Sequence, residues 1–312
     1  MKNSLITIVI PVYNGESKIC YAINSLKNQT FKDFEVLVID DGSIDNTESV
    51  IEEYTKNDKR FKYIYKKNGG VSSARNLGIQ VAKGKYISFL DCDDYYDIKF
   101  LEKMYKKIEC TSADLCYCGY NTFSPSGINR VKTQYKMNNA LKEYLLGKLK
   151  LQTACFLIKK EVIEKNNLEF RIGADWGEDY EFFCKLLKHS KKITYLKEYL
   201  VYYNVKDMND KLSRFNIQQV EKNMVMIENI KRENLLTTSE KKALINYLAP
   251  ALIINFLYYN FNKIDPTVVR KIILQNKEYI DNMKFVNGLR SIKIYILFQK
   301  IKREVLRWKR FF

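Results

Sequence analysis

The sequence contains a single histidine, and this scarcity narrows the catalytic mechanisms that are open to it. His189 lies among lysines at the end of a predicted helix, where it complements the helix dipole. The sequence therefore gives little support to catalytic mechanisms that pair histidine with serine or cysteine. The seven cysteines are scattered and include no C-x-x-C pair, which argues against a zinc site or a disulfide framework. This cysteine usage fits a reducing cytoplasm.

Glycine-rich phosphate loops and long apolar runs are also missing. No G-x-G-x-x-G occurs, and the stretch 78–86 resembles a P-loop but has one residue too many and lacks the Ser/Thr. The longest apolar stretch, 243–261, contains Pro250 and three asparagines, so we predict a buried helix there rather than a membrane span. The N-terminal apolar run stops at Pro11 before it reaches signal-peptide form, and it is predicted to be the first strand.

Positive charge is unevenly distributed along the chain. The formal net charge is +17, and residues 201–312 contribute most of it, with 21 Lys and Arg against 10 Asp and Glu. Such a field suits nucleic acid, an anionic membrane surface or a phosphorylated ligand. The basic part contains no recognised nucleic-acid motif and spreads its lysines among apolar positions of predicted helices, so we expect no nucleic-acid partner.

The first 90 residues alternate between short apolar runs and helical patterns. Ser72 or Ser73 is predicted to cap the third helix, and the pattern becomes helical beyond Tyr203. The predicted strands, with a helix between each pair, are Leu5–Val12, Phe34–Ile39, Phe61–Tyr65 and Tyr86–Leu90. This order predicts an α/β fold with a mostly parallel sheet flanked by helices. We expect one domain at 1–212, a basic helical region at 213–312, and their boundary in the loop 206–213.

Polar residues follow three of the predicted strands, at Pro11–Asn14, Asp40–Asp41 and Asp91–Asp94. In sheets of this class ligands bind beyond the carboxyl ends of the strands, so the three clusters are expected to meet in one crevice. The acids of the last cluster would repel one another unless a cation lay between them. Carboxylate and phosphate oxygens suit a hard divalent ion, which favours a nucleotide with a metal-bound diphosphate. The alternative is an ordinary solvated acidic turn.

A second acidic motif opens a predicted helix. Glu178 and Asp179 stand in its first turn, and Phe182 and Phe183 begin its apolar face. Carboxylates at this position complement the helix dipole, which is one explanation for them. The other is that one of them acts as a general base.

Taken together, six segments of the chain resemble the inverting family-2 glycosyltransferases of GT-A fold. They occur in the family's order within residues 5–205. The segments are Ile8–Asn14, Ser25–Phe31, Val38–Asp45, Gly69–Gly78, Phe89–Asp94 and Glu178–Asp179. The resemblance implies a Rossmann-like GT-A domain with a C-terminal helical extension. It also implies an enzyme of capsule, exopolysaccharide or lipopolysaccharide synthesis that uses a UDP-sugar.

The resemblance further implies which residues bind the nucleotide-sugar. Tyr13 would stack on the base, Asp41 would accept from the imide N–H of uracil, and Asp40 would support Asp41 or bind the ribose. Arg75 would lie near the nucleotide or its phosphates. The implied set on this side is Pro11, Tyr13, Asp40, Asp41, Arg75, Asp91 and Cys92.

Metal and acceptor positions follow from the same resemblance. Asp93 would bind Mn²⁺ or Mg²⁺, with Asp91 directed toward the ribose or the donor sugar. Asp179 would be the base, and Trp176 and Glu178 would line the acceptor side. The metal would neutralise the leaving diphosphate, while the base takes the proton of the attacking hydroxyl. The implied reaction is a single displacement with inversion onto a glycan or lipid-linked acceptor.

One position departs from the family pattern. Relatives often carry an arginine after the two tyrosines at 202–203, where it can reach the diphosphate. Asn204 stands here instead, and Lys206 or Arg214 would have to supply that contact.

Two other classes of protein are alternatives to a glycosyltransferase. A nucleotidyltransferase would need a glycine-rich basic loop after the first strand, and the segment 11–15 offers none. The non-enzyme alternative is a basic membrane- or nucleic-acid-binding protein with a non-catalytic GT-A-like domain. The presence of Asp91, Asp93 and Asp179 argues against such an inactive site.

The last thirty residues, 283–312, combine nine basic residues and one acid with many apolar side chains. This composition is typical of a helix that lies on an anionic membrane surface. We therefore expect a cytoplasmic protein held on the inner face of the cell membrane by this segment. The alternative is a terminal helix docked on the protein with a solvated basic face.

Overall fold

The structure is a computed structural model, and it describes residues 4–174, 176–205, 218–233 and 236–308, with the backbone alone for 306–308. The chain divides into two compact units. The first comprises Met1–Ala140 and Leu149–Asp210, and the second comprises Leu141–Lys148 and Lys211–Phe312. The predicted boundary loop 206–213, with Lys206 and Arg214 at its edges, lies outside the described residues.

Nine strands in the described part of the first unit form one mixed sheet. The strands are β1 (Ile6–Val12), β2 (Phe34–Asp40), β3 (Phe61–Tyr65), β4 (Tyr86–Phe89), β5 (Tyr95–Tyr96), β6 (Leu115–Ser124), β7 (Gly127–Arg130), β8 (Phe156–Lys159) and β9 (Ile193–Asn204). Their order is β3-β2-β1-β4-β8-β6-β9-β5, with β7 beside β6.

The first four strands are parallel, as the sequence predicts, whereas β8 joins the sheet antiparallel to both β4 and β6. Both β1 and β2 are buried along their whole length, which explains their continuous apolar sequences. Because β1 lies between β2 and β4, the winding of the sheet reverses beside it. Such a switch point is where ligands bind in open α/β sheets.

Helices cover the sheet and make up the second unit. They are α1 (Ile19–Lys27), α2 (Thr47–Thr55), α3 (Val71–Val81), α4 (Phe100–Thr111), α5 (Ala140–Leu145), α6 (Lys160–Lys165), α7 (Glu178–His189), α8 (Gln219–Arg232), α9 (Thr238–Ala243), α10 (Ala249–Asn260), α11 (Pro266–Gln275), α12 (Lys277–Asp281) and α13 (Leu289–Trp308). The prediction of a serine cap on α3 is wrong. That helix begins at Val71, after Gly70 with φ 86°, and no side chain caps it.

Gly78 permits α3 to pack directly on β1. A Cβ atom at this position would lie 2.3 Å from Cγ1 of Val9 and 2.8 Å from its Cγ2, both closer than real contacts allow. In a solvated helix, alanine is favoured over glycine by roughly 1 kcal/mol. At Gly78 the steric conflict should outweigh that preference.

We therefore expect Gly78→Ala to lower the free energy of unfolding by about 1–3 kcal/mol, the usual cost of overpacking. Urea denaturation measures this change. Gln80→Ala, at an exposed position of the same helix, is the control and should leave stability almost unchanged. An unchanged or increased stability of Gly78→Ala would contradict the proposed close packing.

In the second unit, one helical run, Thr238–Lys263, is long and apolar enough to cross a membrane, and half of its apolar window is buried inside the structure. A π-helical turn, Leu244–Leu248, precedes Pro250 in this run. Proline has no N–H to donate to the carbonyl four residues earlier, and Lys284 N donates to that carbonyl of Asn246 at 3.1 Å. The Asn246 side chain donates to Asn282 O. These bonds tie the segment before α13 to the long helix.

Candidate active site

The loops that follow β1 and β2 are joined by hydrogen bonds. Asn14, with φ 48°, accepts from Ile44 N at 3.0 Å through its side chain, and its own N–H donates to Ser43 Oγ at 2.9 Å. Gly15 N donates to Thr47 Oγ1 at 2.8 Å. The first two polar clusters predicted from the sequence therefore lie together.

Asp40 and Asp41 are both buried, but their carboxylates differ in what they contact. Asp40 accepts from Ser43 N and from the Tyr63 hydroxyl, each at 2.8 Å, and so closes the turn after β2. The Asp41 carboxylate accepts from Gly69 N at 3.0 Å, from Gly70 N at 2.7 Å and from Lys66 Nζ. A carboxylate offers about four acceptor positions, so one on Asp41 Oδ2 is left for a ligand.

Lys66 and Asn68 are site residues that the sequence interpretation missed. Asn68 Nδ2 donates to Asp41 O at 2.9 Å, and Lys66 pairs with the Asp41 carboxylate. Both residues follow β3, at the same sheet edge as the predicted clusters. Their position after β3 could have identified them as site residues, because the carboxyl ends of neighbouring parallel strands meet at one edge of the sheet.

The loop after β1 also reaches the acidic turn that follows β4. A Cβ atom on Gly15 would lie 3.7 Å from Sγ of Cys92. Burial raises the pKa of the Cys92 thiol, and the neighbouring carboxylates of Asp93 and Asp91 raise it further. Pro11 is buried within β1, whereas Tyr13 is 51% exposed, which leaves its ring free to stack on a base.

Arg75 joins the two acidic motifs. From α3 its side chain, 5% exposed, donates to Asp91 Oδ1 at 2.8 Å and to Glu178 Oε1 at 3.4 Å. Burial alone would lower the pKa of Arg75, but Asp91, Asp179 and Glu178 raise it above its ordinary value. The guanidinium therefore remains charged at the centre of three carboxylates.

The two acids at the start of α7 hold their protons more tightly than ordinary carboxyl groups. Burial raises the pKa of Asp179, and the charge of Arg75 offsets only part of that rise. Burial also raises the pKa of Glu178, and the adjacent Asp179 adds to the increase. A base that takes a proton from a hydroxyl benefits from such a raised pKa.

Contacts from α3 and α7 hold the segment that leads into this motif. Asn76 exchanges two hydrogen bonds with the backbone of Phe170, at 2.8 and 2.9 Å. The Phe170 ring stacks on Phe182 at 3.9 Å between centroids. Arg171 makes a two-nitrogen pair with the buried carboxylate of Glu181. Trp176 lies half-buried in this segment, two residues before Glu178.

The acidic turn has its own anchoring. Asp94 is buried, and its Oδ1 accepts from Asn204 N at 2.8 Å. Asn204, which stands where relatives often carry arginine, thus holds the turn through its backbone. Burial raises the pKa of the neighbouring Tyr203, and Asp94, Asp91 and Asp93 raise it further. Three carboxylates are therefore concentrated at this turn, with Arg75 and Lys18 as nearby cations.

This arrangement fits a divalent cation that shares its shell with a diphosphate. Within the described ranges, no group of three or more His, Cys, Asp or Glu side chains could enclose a metal. The half-buried carboxylates of Asp91 and Asp93 are hard oxygen donors. Ions such as Mg²⁺ are commonly held by one or two carboxylates together with substrate phosphates and water. The donor set therefore suits an ion that arrives with its nucleotide.

A cavity of about 970 Å³ opens beside the acidic turn. It reaches the turn through Tyr95, which follows Asp94 in the sequence, and through Asn204, whose backbone N–H donates to Asp94. Aromatic and amide side chains, including Tyr21, Asn24 and Phe123, line the rest of it. Its size lies within the range of ligand pockets.

Two relatives share about a third of their residues with this chain over the matched region. The glycosyltransferase EpsJ of Bacillus subtilis (strain 168) is 33% identical over 208 residues, which cover 64% of this chain and 60% of EpsJ. The poly(ribitol-phosphate) beta-N-acetylglucosaminyltransferase TarP of Staphylococcus aureus (strain N315) is 32% identical over 214 residues, covering 65% and 63%. The chain thus spans less than two thirds of the length of these relatives.

Solved structures share the fold over most of the chain. Staphylococcus aureus TarS, residues 1–349 in complex with UDP-GlcNAc, has a TM-score of 0.68 at 19% identity, covering 91% of this chain and 90% of that one. The mannosyltransferase PcManGT of Pyrobaculum calidifontis, in complex with GDP-Man and Mn²⁺, has a TM-score of 0.61 at 14% identity, covering 96% and 88%. These likenesses confirm the predicted GT-A fold with a C-terminal helical region.

The family model describes the part of the chain that carries the crevice. The model of Glycosyl transferase family 2 matches residues 7–167, which is more than half of the sequence. The matched region contains the loops after β1 and β2, Arg75 and the acidic turn after β4. The chain therefore belongs to glycosyl transferase family 2.

Proposed function

We propose that this protein is an inverting glycosyltransferase that moves a sugar from a UDP-sugar to a hydroxyl group. The observation that carries the proposal is the cluster around Arg75, which joins the acidic turn to Glu178, the neighbour of the proposed base Asp179. An exposed Tyr13 and a free acceptor position on Asp41 lie at the same sheet edge. The UDP-GlcNAc bound to the structurally similar TarS supports a uridine donor.

The base of the donor would be recognised by stacking and by one hydrogen bond. The uracil ring stacks on Tyr13, and its imide N–H donates to Oδ2 of Asp41. Lys66 and the amides of Gly69 and Gly70 hold that carboxylate in a fixed orientation. Because these three donors already occupy the other acceptor positions, the Asp41 carboxylate can accept a hydrogen bond from the base without changing its orientation.

Transfer would proceed as a single displacement. The acceptor oxygen attacks the anomeric carbon of the sugar, the bond from that carbon to the diphosphate oxygen breaks, and UDP leaves with the bonding electrons. Asp179 takes the proton of the attacking hydroxyl, so the proton ends on its carboxyl group. Glu178 and Trp176 line the acceptor side, and Arg75 holds Glu178 and Asp91 in place.

A divalent cation, Mn²⁺ or Mg²⁺, would be held by Asp93 with Asp91 beside it. When bound, it acts as a Lewis acid that neutralises the charge on the leaving diphosphate. The Mn²⁺ in the complex of PcManGT supports such an ion in this fold. The protein's own part is to present two carboxylates on a turn that Asp94 and Asn204 fix.

The acceptor would be a glycan or a lipid-linked oligosaccharide in the synthesis of a cell-surface polysaccharide. TarP, whose name records action on poly(ribitol-phosphate), supports a surface polymer as the class of product. The aromatic and amide lining of the cavity beside the acidic turn suits sugar rings. We place the enzyme in the cytoplasm, where nucleotide-sugars are available. A non-catalytic binding role is not favoured, because the family match and the glycosyltransferase relatives support an enzyme.

A donor screen tests the reaction without knowledge of the acceptor. UDP-, GDP- and CMP-sugars are incubated with the full chain and Mn²⁺, and nucleotide release by slow hydrolysis is followed. We expect UDP-sugars to release nucleotide at least about tenfold faster than the other two classes, because cytosine has no ring N–H to donate to Asp41 and the ring N–H of guanine lies farther from the ribose than that of uracil. Preferential release of GDP, or of no nucleotide from any donor, would contradict the proposed function.

A further inference from the structure

The last described helix, α13, has two apolar stripes, and only one of them is covered. The inner stripe, Ile294, Leu297 and Ile301, is buried to at least 94%. It packs against other helices of the second unit, α10 and α11. This spacing of three and four residues is that of an ordinary core-facing helix. The docking of α13 on its own unit is therefore complete without the second stripe.

The second stripe, which we call the outward stripe, consists of Leu289, Ile292 and Ile296. These side chains are 84%, 43% and 49% exposed. They are also spaced by three and four residues, so they share one side of the helix. At 3.6 residues per turn, Ile292 and Ile296 project nearly opposite to Ile294. A second, exposed apolar side adds no stability to a helix that packs on the protein through its first side.

Aromatic residues enlarge the exposed apolar area. Phe285 is 62% exposed and contacts the ring of Tyr295, which is 42% exposed, at 5.8 Å between centroids. Val286 is also exposed, at 37%. Clusters of exposed apolar groups mark an interaction site more often than single exposed residues do.

Cations surround the outward stripe. Lys293 and Lys300 are exposed on one flank of the stripe, Lys302 is exposed on the other, and the exposed Arg303 continues the line of the stripe toward the end of the helix. Within Leu289–Val305, where side chains are described, Glu304 is the single acid. An apolar centre bordered by Lys and Arg complements a surface that is apolar inside and anionic outside.

Polar contacts fix the start of α13, so the helix cannot roll to bury its outward stripe. Asn287 Nδ2 donates to Leu146 O at 2.7 Å, and Arg290 donates to Gly147 O. Just before it, Lys284 N donates to Asn246 O. Within the described part of the second unit, the outward stripe is exposed and its helix start is held by these bonds.

We propose that the outward face of α13 binds the surface of an anionic lipid bilayer, with the outward stripe in the acyl–headgroup boundary and the flanking cations on lipid phosphates. Helices with a basic polar side and exposed apolar and aromatic residues bind membranes in this way. Two attractions act together, since apolar burial and cation–lipid contacts each add to the affinity. This binding does not depend on the reaction proposed above.

The test is co-sedimentation of the full chain with vesicles of phosphatidylcholine, alone or with about one third phosphatidylglycerol, a typical anionic fraction. We expect binding to the anionic vesicles at low salt and at least about tenfold weaker binding at high salt or without phosphatidylglycerol. Equal binding to both vesicle types, or no binding to either, would overturn the proposal.

Two variants locate the binding face. Ile292→Asp with Ile296→Asp should reduce vesicle binding by about tenfold or more, because it places charge in the outward stripe. Val225→Asp, at a 50% exposed position of α8, is the matched control and should bind as the unchanged chain does. Thermal unfolding by circular dichroism should be the same for both, since each altered side chain is exposed. Unreduced binding of the α13 variant, or equal loss in both, would contradict the assignment.

A second pair of variants separates lipid from nucleic acid. Lys300→Glu with Arg303→Glu should weaken binding to anionic vesicles, whereas Lys271→Glu on α11 should not. Duplex DNA serves as the competing polyanion in the same assay. Two results together would make the basic face a nucleic-acid surface and the lipid proposal wrong. DNA would displace the protein from vesicles, and the variant Lys300→Glu with Arg303→Glu would lose its binding to DNA.

Discussion

Asp179→Asn is expected to lower sugar transfer by about 10²–10⁴-fold while UDP binding is retained. The amide keeps the shape of the side chain but cannot take the proton of the attacking hydroxyl. Asp179 Oδ1 accepts from Tyr180 N at 2.7 Å, a bond that an amide oxygen can also accept. The fold of the helix start should therefore survive. Initial rates of transfer and calorimetric UDP affinity, measured on the same preparation, separate the two effects.

Glu178→Gln is the matched control, because it removes the same charge one residue earlier. We expect a smaller loss of transfer, since Glu178 pairs with Arg75 and is proposed to line the acceptor side without taking the proton. If Glu178→Gln costs as much as Asp179→Asn, the assignment of the base is wrong. A collapse of UDP affinity in Asp179→Asn would make that residue a binding group.

The pH dependence of transfer follows from the same carboxyl group. A general base must be unprotonated, so transfer should fall as the pH drops through the pKa of Asp179. Because burial raises that pKa, the acid limb should lie above the ordinary value of an aspartate, about 3.9. The limb should be absent from the residual activity of Asp179→Asn.

Asp93→Ala, or removal of divalent metal with EDTA, is expected to lower transfer by about 10³-fold or more, since Lewis-acid stabilisation of the leaving group is worth several kcal/mol. Metal-dependent UDP binding should be lost in the variant as well. Adding Mn²⁺ back after EDTA should restore the unchanged chain but not the variant. Nucleotide release and calorimetry with and without Mn²⁺ measure both effects.

Asp97→Asn is the control for this variant. Asp97 lies four residues further along the same segment and accepts from Lys99 N at 2.9 Å. Its substitution removes one negative charge near the acidic turn without touching a metal ligand, so metal dependence should be unchanged. Full activity in EDTA would exclude the metal role of Asp93.

The crevice was predictable because parallel strands place their carboxyl ends at one sheet edge. The sequence patterns identified β1 to β4 within one or two residues, and the loop after β1 lies against both the loop after β2 and the turn after β4. Local hydrophobic periodicity was sufficient for this step, since each strand and helix could be identified from its own segment.

Long-range side-chain pairs could not be predicted in the same way. The partners of Arg75 are the two acidic motifs, 16 and 103 residues away, and no sequence pattern names them. Its predicted place beside the nucleotide stays a prediction. Lys66 was not identified, because a lysine after a strand carries no pattern that names Asp41 as its partner. The backbone bond from Asn204 to Asp94 likewise has no signal in the side chain of either residue.

The mixed half of the sheet was also beyond the sequence patterns. Strands β8 and β6 pair antiparallel within the sheet, and short apolar runs such as Phe156–Lys159 do not record the direction of their neighbours. The composition of the segment 283–312 predicts membrane binding, with docking on the protein as the alternative. Its inner stripe is docked, and its outward stripe is the part that the vesicle experiment addresses.

Calorimetric titration of the full chain with UDP and CDP, in the presence of Mn²⁺, tests the central claim most directly. The two ligands differ at the base position that faces Asp41, where uracil donates a hydrogen bond and cytosine can only accept one. Leaving a buried acceptor unpaired costs about 1–3 kcal/mol, so UDP should bind about 10- to 100-fold more tightly than CDP. Equal affinities, or no binding of UDP, would contradict the assignment of this crevice as a UDP-sugar site.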